Sequence, residues 1–140
     1  MSTKRYIKLD GQTLSVNCID WDIKVSKPDF KSAEMCEEYG LFEKRRNLIT
    51  VQEGTDSVTE FNTLLHEIIH GVVWLGTLNA SGQPLDTDEK EELVVNTLTN
   101  YLVGVLKQNK WFRDIWFNAL TKPRTKNNFF PLPIVIVRPS

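Results

Sequence analysis

At 140 residues, with 41% hydrophobic and 25% charged side chains, the chain has the size and composition of one globular domain able to bury a core without disulfide or metal staples. A formal net charge of −1 excludes bulk attraction to nucleic acid or acidic membranes, and two cysteines, Cys18 and Cys36, exclude a disulfide framework. No apolar run follows Lys4 and Arg5 and none reaches membrane-spanning length, so neither a signal peptide nor a membrane helix is predicted and a reducing cytoplasm is the expected compartment.

In chain order, residues 5–17 read as a hairpin, with Ile7 and Leu9 before an Asp10-Gly11 turn and Leu14 and Val16 after it. Ile19, Trp21, Ile23 and Val25 alternate with polar neighbours and predict a third, half-buried strand that ends by Pro28. A short helix is expected over 32–39, with Gly40 as its stop. A turn or hairpin and a strand follow over 41–52, with Leu48, Ile49 and Val51 as apolar contacts. Lys44, Arg45 and Arg46 form a basic run that a solvated turn explains.

Residues 57–75, SVTEFNTLLHEIIHGVVWL, read as a helix opened by a capping box of Ser57 and Glu60. Its apolar residues recur at helical spacing over a wide arc, which places it in a core. A Gly-, Asn-, Ser- and Pro-containing loop over 76–87 leads to a second helix over 87–109, acidic at its start and apolar in its body. Trp111, Phe112, Ile115, Trp116 and Leu120 predict a third helix packed on the core. Residues 122–128 read as a basic link and 129–139 as an apolar, proline-interrupted tail, an edge strand or an extended lid. The expected fold class is therefore α+β, a small antiparallel sheet against three helices in a single domain.

The chemistry concentrates in the middle of the first helix, where His66, Glu67 and His70 spell H-E-x-x-H. Residues four apart on a helix project to the same side, so both imidazoles can reach one ion. Unpaired polar groups on a buried helix cost several kcal/mol, and a divalent ion satisfies both rings together. Neutral imidazole suits zinc, and Glu67 then lies where it can take a proton from a water on the ion. A coincidental pair of hydrogen-bonded histidines is the plain alternative. A catalytic zinc needs a third ligand. The cysteines lack a paired spacing, which leaves Glu91 and Glu92, at the acidic start of the second helix, as the candidates.

T-L-L-H-E-I-I-H-G over 63–71, followed by E-L-V-V-N-T-L-T-N-Y-L over 92–102, resembles the small gluzincin-type metallopeptidases of phages and bacteria and, more loosely, the ImmA/IrrE peptidases. The resemblance covers about residues 40–110 and implies a minimal zincin-like fold. It implies zinc ligation by His66, His70 and Glu92, general-base action by Glu67, and orientation of a ligand by Asn96, one turn beyond Glu92. A peptide or protein substrate follows, with no nucleic-acid or membrane partner, and a phage-encoded protein would act in its host's cytoplasm. A strand near the site is an edge on which an extended substrate can add. Neither Tyr39 nor Tyr101 is assigned to the oxyanion. The competing readings are a non-catalytic, zinc-stabilised interaction module and a metal-free interaction protein that uses the aromatic third helix and tail.

Overall fold

The computed structural model describes residues 8–27, 39–53 and 56–122. Its elements are β1 (Thr13–Val16), β2 (Ile19–Ser26), β3 (Gly40–Glu43), β4 (Leu48–Gln52), α1 (Ser57–Leu75), α2 (Asp88–Gln108) and α3 (Lys110–Thr121). The fold is α+β, with four strands and three helices among the described residues. Internal contacts divide the chain into two units, residues 1–104 and 105–140.

In the first unit the strands form one sheet in the order β1-β2-β4-β3. β1 and β2 pair antiparallel with Leu14 opposite Trp21, β3 and β4 pair antiparallel with Phe42 opposite Ile49, and β2 and β4 run parallel with Ile23 opposite Ile49. The sheet is thus mixed, where a purely antiparallel one was predicted. Parallel partners are joined by a long crossover, so their pairing leaves no local mark in the sequence.

The alternation in β2 sends Trp21 and Ile23 into the core while Asp20, Asp22 and Lys24 face water. β4, between two neighbours, is buried at Ile49, Thr50 and Val51. α1 lays Leu64 against Trp21, Ile23, Ile49 and Val51, with Phe42, Ile68 and Leu75 packed around them. Gly71 permits the closest approach. A Cβ built there would overlap Trp21 Cη2 and stand 2.8 Å from Cζ3, so helix and sheet meet only because that position carries no side chain.

Two local expectations move. Asp10-Gly11 is a turn, with Gly11 at φ 81°, but the Asp10 carboxylate accepts from the Val25 amide at 2.8 Å and the turn lies beside β2. The hairpin itself turns at Asn17-Cys18, where Asn17 takes φ 54°, a left-handed conformation that Asn tolerates better than most side chains. Gly40 opens β3; the helix expected over 32–39 falls outside the described residues apart from Tyr39, which is not helical. The 41–52 stretch is the β3–β4 hairpin, and Lys44, Arg45 and Arg46 occupy its exposed turn.

In the second unit, the Arg113 guanidinium donates to the carbonyl oxygens of Leu106 and Lys107, the latter at 2.8 Å, and so satisfies acceptors at the end of α2. α3 forms where its aromatic spacing predicts a helix. Trp111, Ile115, Trp116, Phe117 and Leu120 are exposed, and none of its residues is buried, so the expected core stripe is not buried among the described residues. Its rings meet one another, Phe112 lying between Trp111 and Trp116. The tail beyond Lys122 lies outside the described residues.

Candidate metal centre and its cleft

α1 is capped one residue before the predicted cap. Asp56, in an extended conformation, accepts from the Thr59 amide at 2.9 Å, and Ser57 is the first helical residue. Asp serves as well as Ser at this position, and the nearer acceptor to a free first-turn amide takes the role. At the other end Thr77 adopts φ 57°, and the Leu78 amide returns to the Val73 carbonyl at 3.1 Å. This reversal starts the loop that brings Asn79 back to the site. Thr87 receives the Lys90 amide on its hydroxyl and α2 begins at Asp88. An Asn62–Asn100 side-chain hydrogen bond of 3.3 Å ties the two helices together.

Between these helices the three predicted ligands converge. His70 Nε2 lies 3.0 Å from His66 Nε2 and 3.0 Å from Glu92 Oε1, and His66 Nε2 lies 3.7 Å from Glu92 Oε2. One ligand atom from each falls within 4.8 Å of the others. Tetrahedral zinc with bonds of roughly 2.0–2.1 Å separates its ligands by about 3.3 Å, and the observed spacings bracket that value. The donor set therefore fits such an ion.

The hydrogen bonding around His70 sharpens the point. Its Nδ1 lies 2.7 Å from Glu91 Oε1, and the other Glu91 oxygen accepts from the Asn79 amide at 3.1 Å. A carboxylate acceptor at Nδ1 draws a proton there, and Nε2 then faces a Glu92 oxygen and a second imidazole. Three acceptors do not share that space unaided: a proton or a metal ion has to sit among them. Burial, reinforced by the neighbouring His70 and partly opposed by Glu92, holds the His66 pKa below its ordinary 6.5. A ring with a lowered pKa stays neutral at pH 7 and keeps its lone pair for an ion.

Glu67, 6% exposed, projects toward β3. A Cβ at Gly40 would stand 2.9 Å from both Glu67 Cγ and Oε1, so Gly40 is what lets the edge strand lie against this carboxylate. Asn96 donates to Glu92 Oε2 at 3.3 Å; it braces the glutamate and touches neither histidine. The partner of His70 Nδ1 is Glu91, a role that the sequence does not assign to it. Its signal was present: adjacent helix residues point about 100° apart, so two neighbouring acids can reach the same side of α1 by different routes. Asn79 carried no signal. Glu91→Gln, which loses the charge that holds the Nδ1 proton, is expected to weaken zinc binding about 10- to 100-fold in a chelator competition titration. Unchanged affinity would show that the contact does not orient the ring.

His66, Glu67, His70, Glu91, Glu92 and Asn96 all line one cleft of about 930 Å³. β3 forms another wall, Trp74 and Asn79 contribute to the lining, and Lys44, Arg45 and Arg46 contribute from the β3–β4 turn. β4 is interior to the sheet, and among the described strands β3 is the edge that faces the cleft. Tyr39 lines the cleft, whereas Tyr101 is exposed and does not. Among the described residues no helix is long and apolar enough to cross a membrane. Comparison with protein-family models, with curated proteins and with solved structures finds no match to the chain.

Proposed function

We propose that this chain is a zinc-dependent peptidase. The observation that carries the reading is the approach of His66 Nε2, His70 Nε2 and the Glu92 carboxylate to one point in an accessible cleft, with a buried glutamate one residue from the first histidine. Zinc bound there would supply a Lewis acid for a peptide carbonyl and would acidify water.

The residues divide the remaining work. His66 and His70 would present their Nε2 atoms, the latter ring oriented through Nδ1 by Glu91, which Asn79 in turn braces. Glu92 supplies negative charge opposite them and is steadied by Asn96. Glu67, excluded from bulk water by β3, takes a proton from the attacking water and returns it to the leaving amine. Among the described residues β3 is an edge of the sheet, along which an extended peptide can lie.

The test is metal removal. Untagged chain loaded with zinc is expected to cleave an unstructured protein substrate, to lose that activity on dialysis against a chelator, and to regain it with stoichiometric zinc. Cleavage that persists in the metal-free chain would overturn the proposal.

A further inference from the structure

The cleft is electrically uneven. Glu67, Glu91 and Glu92 stand at one part of it, and the exposed turn Lys44–Arg45–Arg46 lines it where β3 ends. Arg46 reaches Glu43 at 3.4 Å, an exposed pair of small energy that largely cancels in charge. Among the described residues, Lys44 and Arg45 then leave a cationic end to a cleft whose carboxylates lie at its other residues, beside the histidines. Gly40 marks the position of Glu67 along β3, and Glu43 lies three residues further on, about 10 Å at the rise of an extended strand.

We infer that the cleft selects peptides carrying an acidic side chain about three residues from the bond over Glu67, with Lys44 and Arg45 as its recognition residues. The inference rests on the peptidase reading for what the bond is, and on the structure for the charge. A peptide backbone is neutral and can pass the three glutamates while one Asp or Glu reaches the turn. Zinc in the proposed centre would offset much of the charge of those glutamates, so the choice of a peptide rests on the peptidase reading, and a nucleic-acid strand is the alternative that the oligonucleotide arm of the experiment tests. Arg offers a planar fork that matches a carboxylate, and rim charges act on encounter rate and salt dependence as well as affinity.

The experiment uses fluorescently labelled peptides with one Asp at successive positions, each paired with its Asn counterpart. Binding to the zinc-loaded full chain carrying Glu67→Gln is read by anisotropy, so it does not depend on turnover. At the favoured position the Asp peptide is expected to bind about fivefold tighter than its Asn partner, as two exposed charge contacts allow. That ratio is expected to shrink in 0.5 M salt, taken as roughly the range where exposed charges are screened. It is expected to fall to about one in Lys44→Ser/Arg45→Ser, a variant whose zinc content controls for folding. Equal binding of Asp and Asn peptides at every position, or binding of neither, overturns the inference. So does tighter binding of a single-stranded oligonucleotide than of any acidic peptide. Failure of wild type to hydrolyse any peptide overturns the peptidase reading instead, and leaves the charge preference to be decided by anisotropy.

Discussion

Glu67→Gln is expected to reduce peptide hydrolysis by at least about 100-fold, and by up to about 10,000-fold, while zinc content stays that of wild type, because general acid–base catalysis contributes on that order. Gln keeps the shape and the burial of the side chain but cannot accept and return a proton. The dissociation of activity from metal content is what gives the variant its meaning. Glu67 is not among the three converging ligands, and its carboxylate is held against Gly40 on β3, so the site should assemble without its charge. Activity within tenfold of wild type would remove Glu67 from the chemistry, and loss of zinc along with activity would make it a ligand. The measurement pairs single-substrate kinetics with elemental analysis of the same preparation.

Glu92→Ala is expected to weaken zinc binding by more than the roughly 100-fold that outer-shell partners typically cost, since it removes a ligand and the negative charge that balances the ion. Its side chain is about half exposed, so the protein loses little packing and should keep its melting behaviour in chelator. The neighbouring Glu91 supplies the comparison. It sits deeper, 13% exposed at its side chain, with both oxygens already engaged by His70 and Asn79. If Glu91→Gln proved more damaging to metal affinity than Glu92→Ala, the two acids would have to exchange roles. Chelator competition titrations on both variants decide it.

What could be read from the chain divides along the range of the forces involved. α1 and α2 declare themselves through helical apolar spacing and first-turn acids, and β2 through strict alternation at Trp21 and Ile23, because these patterns are local. The H-E-x-x-H spacing likewise puts His66 and His70 on one face before any tertiary contact is known. The parallel pairing of β2 with β4 is non-local, and no residue in either strand announces it. The Asp10-Gly11 pair is a strong turn signal that here serves a bend beside β2, while the hairpin turns at Asn17. In the site, Asn96, one turn beyond Glu92, contacts Glu92, as the resemblance implies for a residue that orients a ligand, whereas the carboxylate on His70 Nδ1 is that of Glu91. Asn79 enters only because Thr77 reverses the chain after α1. Nor does the sequence tell that a basic turn at 44–46 lines the same cleft as the histidines, since the hairpin's placement on α1 is a tertiary fact.

The central claim is a metal centre formed by His66, His70 and Glu92, and the most direct test of it is the zinc content of untagged wild-type protein, stripped with chelator, reloaded and freed of excess metal. Near one zinc per chain is predicted, bound tightly enough to survive gel filtration. No zinc retained after reloading, with the chain folded, would contradict the account: a proton between the rings would then be what holds His66, His70 and Glu92 together.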